Sequence, residues 1–281
     1  MGLESCTNEV QTSVPFSVGG RQVLLLDTPG FDDTTMTDTD VLRIISAYLV
    51  TMFVLRILFF LTWQYLTGDL SPLRNKQGAR LVGVIYMQRI SDFKVGGSAR
   101  RDLRMFQELC GEEAYENVIV VTNMWGQVPE EDGEARELEL KTKDIFYKPI
   151  LDRRGIMERH DNTRESAHRI LEKLIHKEPA VLRIQRELAE GTDITQTAAF
   201  RQLDRELSEL ALQHQKNLDQ LKAEMATAEQ NMDEDTQNEL AEEKQKLEDE
   251  LRRAQTQASR LASDYQAELR KIEEKLNVRE V

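Results

Sequence analysis

The chain has 281 residues, 40% hydrophobic and 31% charged, with a formal net charge of −13. That length holds one or two domains with a sizeable core. The acidic balance, without a basic stripe interleaved with aromatics, excludes a nucleic-acid binder, because phosphate contacts need clustered Lys and Arg.

Two cysteines, Cys6 and Cys110, give neither a metal-ligand spacing nor a disulfide framework, so a reducing, cytoplasmic compartment is expected. The opening MGLESCTNEV has no basic and apolar regions of the secretory kind.

In chain order, SVPFSV (13–18) and RQVLLLD (21–27) flank Gly19-Gly20 and predict a β-hairpin. Its second strand runs into Asp27, then Thr28-Pro29-Gly30 and the polar FDDTTMTD. Open α/β sheets place ligand groups at the C-terminal ends of buried strands, so Asp27 is positioned to hold Mg²⁺, usually through water. Gly30 has no Cβ and lets a backbone N–H approach a terminal phosphate closely. The polar loop is fit to order around a triphosphate and to relax after hydrolysis. Asp-x-x-Gly alone is a weak signal; the apolar strand before it and the polar loop after it strengthen the reading. Thr7 precedes the first strand, where a switch threonine would ligate the same Mg²⁺ and sense the terminal phosphate.

A helix is predicted over 38–50. Inside it begins an apolar run, 44–66, in which Arg56 is the one charged residue. The run is long enough to cross a hydrocarbon core, although a central Arg costs about 2.5–3.5 kcal/mol on insertion. Two readings stand. The run is a membrane anchor, or about 53–76 is an insertion whose removal leaves a helix, a turn and a strand.

The runs RLVGVIYM (80–87) and NVIVVTN (117–123) predict strands covered on both faces. Helices are expected at 99–109, 134–145 and 163–176. Asn162 is placed to cap the last of these, with Glu165 at capping-box spacing. In VIVVTNMWGQV (118–128) a strand ends on Thr-Asn, which suits a nucleotide-base site. Many GTPases carry N/T-K-x-D here. Asn123 stands in the Lys place and Trp125 in the Asp place. Trp125 can stack on a base but cannot accept the hydrogen bonds of guanine.

Residues 181–199 read as a linker. From about Phe200 to Val281 there is no Pro or Gly, and apolar residues recur every three or four positions. Leu203, Leu207, Leu210, Leu218 and Leu221 start a seam that Leu247, Leu251, Leu261, Tyr265 and Leu269 continue. This predicts a long helix or coiled coil over 200–281. The spacing breaks around 233–240, so a dimer seam, a solvated single helix or a hairpin folded back at the break satisfies it. The four histidines are dispersed and no Ser-His-Asp or Cys-His set is visible, so no catalytic residue is assigned.

Six segments in order, GLESCTNEVQ, LLLDTPGFDDT, GVIYMQRISDF, MFQELCG, VIVVTNMWG and RHDNTRESA, resemble fungal G-domain proteins. These are relatives of the septin, Toc and immunity-associated GTPases within the P-loop class. The resemblance implies an α/β, Ras-like sheet over about 1–180, GTP with Mg²⁺ as cofactor, and a cytoplasmic switch protein. It implies Thr7 and Asp27 as metal ligands. It implies Thr7, Asp27, Gly30, Asn123, Trp125 and Asn162 as nucleotide-binding, Asn162 by analogy with an Asn that helps read the base.

One departure is large. The class carries a G-x-x-x-x-G-K-[ST] phosphate loop, and none of the 14 glycines of this chain is followed by Lys. The expectation is therefore an N-terminally truncated, incomplete Ras-like domain, followed by a long C-terminal helix or coiled coil. Function is expected to be nucleotide-dependent switching with slow GTP hydrolysis, weakened by loss of the loop. The alternative is a non-enzymatic scaffold binding a protein partner, or a second copy, through the coiled coil. Either form would be membrane-associated if 44–66 inserts.

Overall fold

Gly19 and Gly20, at φ +54° and +77°, make the left-handed turn of a β-hairpin. A computed structural model describes residues 7, 9–31, 36–51, 81–92, 96–230, 240–249, 251–252, 256 and 264–271. On the hairpin, β1 (Gln11–Thr12) pairs antiparallel with β4 (Leu26–Asp27), and β2 (Phe16–Val18) with β3 (Arg21–Val23). Thr12 opposes Leu26 but Phe16 opposes Val23, so Ser13, Val14 and Pro15 face only Leu24 and Leu25. This is a bulge, and Pro15, with no N–H to give a ladder, accounts for it.

The expected buried strand ahead of Asp27 is corrected here. Leu24 and Leu25 are 37% and 40% exposed, and Asp27 is exposed on an antiparallel pair separate from the parallel sheet. With a single strand as neighbour, the apolar residues of this segment lack a second partner to cover them.

Helix α1 (38–51) begins at a reciprocal cap. Thr37 N–H donates to Asp40 Oδ2 at 3.4 Å, and Asp40 N–H to Thr37 Oγ1 at 3.2 Å. Val41, Leu42, Ile44, Ile45, Ala47 and Val50 are buried together with Thr39, Ser46 and Thr51. A helix enclosed on nearly every side is an interior element. The proposed insertion at 53–76, and most of the run 44–66, lie outside the described residues. No helix among the described residues is long and apolar enough to cross a membrane.

A parallel sheet follows, in the order β5 (Val84–Arg89), β6 (Val118–Asn123), β7 (Ile156–Arg159). Alternate residues of β6 serve opposite faces, as continuous apolar runs require. Val118 and Val120 join the main core with Phe106, Tyr147 and Ile150, while Ile119 and Val121 pack on Ile170 and Leu174.

The helices are α2 (Gly97–Cys110), α3 (Glu130–Thr142), α4 (Lys148–Asp152), α5 (Arg164–Ile175), α6 (Arg183–Ala189) and α7 (Ala198–Gln230). The fold is mixed α/β. Helix α3 starts before the expected 134, because Pro129 precedes it and Glu130, Glu131 and Asp132 complement the positive end of its dipole. The cap of α5 is Thr163, whose hydroxyl accepts the Ser166 N–H at 3.1 Å. Asn162 instead turns the chain at φ +63°.

The expected linker 181–199 is a packed wedge. Leu182, Ile184 and Ile194 are buried in the main core, as are Phe200, Leu203 and Leu207 at the root of α7. Tyr265, on the helical stretch 264–271, joins that same cluster. By Tyr265 the chain is therefore back at the core cluster that also holds the root of α7. The break at 233–240 falls almost wholly outside the described residues.

Candidate functional site

The hairpin and the sheet each contribute one set of residues. On the hairpin, Thr7 Oγ1 donates to Asp27 Oδ2 at 3.3 Å, joining residues twenty positions apart. Gly30 lies three residues on, exposed, with nothing within 4 Å of where a Cβ would stand. Beyond it Phe31 and Met36 pack against the main core, so this loop is anchored where it meets α1.

A hydroxyl and a carboxylate are hard oxygen donors of the kind Mg²⁺ takes. Mg²⁺ is typically held by one or two carboxylates together with substrate phosphates and water. No group of three or more His, Cys, Asp or Glu among the described residues could hold a metal ion by itself. Thr7 and Asp27 are two such oxygen donors, 3.3 Å apart.

The second set sits at the C-terminal edge of the parallel sheet, where open α/β sheets bind ligands. Asn123 closes β6, and its Oδ1 is buried without a hydrogen-bond partner. Met124, at φ +61°, turns the chain into a short 3₁₀ helix carrying Trp125. The Trp125 Nε1–H donates to the Thr122 carbonyl at 3.2 Å and to Thr122 Oγ1 at 3.1 Å. The Arg159 guanidinium lies over the indole, 4.0 Å from its centroid. Glu137 fixes Arg159 through two hydrogen bonds, 3.0 Å from Nε and 2.7 Å from Nη2.

Burial of Glu137 by itself raises its carboxyl. The hydrogen bonds from Arg159 and Lys141, and their charges, outweigh it and hold the group below the usual range. Trp125 is therefore a clamped wall: its nitrogen is engaged and one face is covered.

On the next strand end, the His160 N–H donates to the Thr122 carbonyl at 2.8 Å, and His160 Nδ1 meets Ser166 Oγ at 2.7 Å. Hydrogen bonds from Ser166 and Thr163 hold the Asp161 carboxyl well below the ordinary carboxylate range. Asn162 follows, exposed on its left-handed turn.

The structure thus brings Thr7, Asp27 and Gly30 together, and brings Asn123, Trp125 and Asn162 to adjacent strand ends. The two sets belong to different sheets. Sequence reasoning took Thr122 as part of a strand end and missed Glu137, Arg159 and Ser166, which with it hold the second set in place. One signal was available: Gly133 inside a helical stretch, where a Cβ would stand 2.8 Å from the Trp125 ring.

No protein-family model matches the chain, and comparison with curated proteins finds no significant relative.

Proposed function

We propose that the chain is a purine-nucleotide-dependent switch of the P-loop GTPase class, similar to the fungal G-domain proteins that its motifs resemble. Thr7 and Asp27 would hold Mg²⁺ on the terminal phosphate, Gly30 would present its backbone N–H there, and Asn123, Trp125 and Asn162 would face the base. Bound Mg²⁺ supplies charge neutralisation at the phosphates. The observation that carries this reading is the 3.3 Å approach of Thr7 to Asp27 beside an Asp-Thr-Pro-Gly loop.

Lacking a Gly-Lys phosphate loop, the chain would bind weakly and hydrolyse slowly, since cradling amides and a Lys supply much of the usual electrostatic support. Trp125 cannot accept from guanine, so any preference for guanine would rest on Asn162 and on Asn123, whose Oδ1 is a buried unpaired acceptor.

The test is binding of a fluorescent GTP analogue, with and without Mg²⁺, by the full chain, by Asp27→Ala and by Thr7→Ala. Mg²⁺-dependent binding that weakens at least about tenfold in Asp27→Ala, one hydrogen-bonded charge's worth, supports the proposal. Binding indifferent to Mg²⁺ and to both substitutions overturns it.

A second reading, a non-enzymatic scaffold, is favoured by one observation: the helical arm that begins with α7 is rooted in the main core rather than tethered to it. A folded chain that binds no nucleotide but captures a second copy or another protein through this arm would establish that reading instead.

A further inference from the structure

Helix α1 links the Asp27–Gly30 loop to the far end of the chain. The loop enters it through Phe31, Met36 and the Thr37–Asp40 cap. One turn further, Arg43 Nη2 pairs with Asp40 Oδ1 at 3.1 Å, and Nη1 with Glu268 Oε2 at 3.6 Å. The Arg43 and Glu268 side chains are each only 16% exposed, and Arg43 Nε is buried without an acceptor. Removing Glu268 would leave a charge enclosed and half paired, which is costly.

Glu268 does not act alone. Tyr265 and Leu269, three residues before and one after, present the same face of 264–271 to the main core, where Val41, Leu42 and Ile45 of α1 also lie. Tyr265 is 4% exposed.

We propose that the 264–271 helix is a latch seated on α1, through which nucleotide at Asp27 and the position of the C-terminal arm control each other. The inference rests on the nucleotide reading and adds its output: the moving part is the 264–271 helix, and the contacts that carry the coupling are Arg43–Glu268 and the burial of Tyr265 in the main core. Because a coupling free energy is reciprocal, whatever nucleotide does to the latch, the latch does to nucleotide affinity by the same factor. A loop that sensed phosphate without this contact would give no such relation.

The experiment uses the full chain, GTP with Mg²⁺, and three variants: Glu268→Lys, Tyr265→Ala and the conservative Tyr265→Phe. Amide exchange of 38–51 and 264–271 is followed with and without nucleotide, and affinity is measured in parallel. The latch predicts that nucleotide changes exchange in both segments. It also predicts that Glu268→Lys and Tyr265→Ala change affinity by about 5-fold or more, the usual lower bound of coupling. The sign must agree: tighter binding in the variants if nucleotide quickens exchange at 264–271, weaker if it slows it. Tyr265→Phe keeps the ring in its seat and stays near the parent. Should Tyr265→Ala fail to fold, Glu268→Lys and Glu268→Gln, which leave the seat's apolar contacts in place, decide the matter.

Nucleotide binding unaltered by these variants, or exchange at 264–271 indifferent to nucleotide, overturns the latch and leaves the nucleotide reading standing. Absence of binding by the parent chain overturns both.

Discussion

Asn117 shows how a single polar side chain fastens two segments. Buried just before β6, its Nδ2 donates to the Val82 carbonyl at 2.7 Å and to the Glu178 carbonyl at 2.9 Å. It ties the approach to β5 to the segment leaving α5. Asn117→Ala strands two carbonyls and should cost about 1–3 kcal/mol. A urea titration should show a lower midpoint with unchanged slope. Glu137 makes a pH-dependent contribution. Its folded carboxyl releases its proton more readily than the unfolded one. That stabilisation is complete above about pH 4.3, the ordinary glutamate value, and is lost as pH falls through the lower folded value. Glu137→Gln should flatten this acid limb in melts taken between pH 2 and pH 6, and should loosen Arg159 from Trp125. At this scale the sequence was partly legible. A carboxylate before Pro-Gly and a threonine upstream singled out Asp27 and Thr7, which the fold brings within 3.3 Å of each other. The Arg159–Glu137 clasp was not legible, since periodicity identifies the faces of elements and not which distant side chain each face meets.

Among elements, α3 and the turn before it form a unit. A methyl added to Gly133 would stand 2.8 Å from one Trp125 ring carbon and 3.3 Å from Val128. Gly to Ala in a helix interior gains up to about 1 kcal/mol in propensity, whereas overpacking costs about 1–3 kcal/mol. Overpacking should win: Gly133→Ala is expected to lower stability and to shift Trp125 emission, read in a Trp63→Phe background. Two of the three parallel strands, β5 and β6, and most helices were legible because long apolar runs and helical periodicity report burial directly; the four-residue β7 is too short and too polar to show either. The bulge at Pro15 was written in a residue that cannot donate, yet its register depends on the partner strand. The wedge at 181–199 was misread because Leu182, Ile184 and Ile194 are too sparse around Gly191 to show a period. Only their burial beside α7 reveals them as core.

At the scale of the molecule, the root of α7 is structural rather than appended. Phe200, Leu203 and Leu207 share the main core with Leu103 and Phe106 of α2. A chain ending at Gln196 should lose cooperative unfolding in thermal melts and aggregate on size-exclusion chromatography. A chain ending at Gln230 keeps the root of α7 but loses the Tyr265 seat. It should stay folded and be weaker by about 3–5 kcal/mol, the cost of deleting one buried aromatic. The seam of Leu and Ala predicted a helical arm. That it doubles back was open in the sequence, because an apolar stripe is equally satisfied by its own chain and by another.

The return of Glu268 to Arg43 of α1 also imposes an order on biosynthesis. At about 5–20 residues per second, the 214 codons between Thr51 and Tyr265 take on the order of 10 to 40 seconds to translate. Throughout that interval the side of α1 that meets the latch has nothing of its own to rest on. That side of α1 gains its ion-pair partner only after residue 268 has been made.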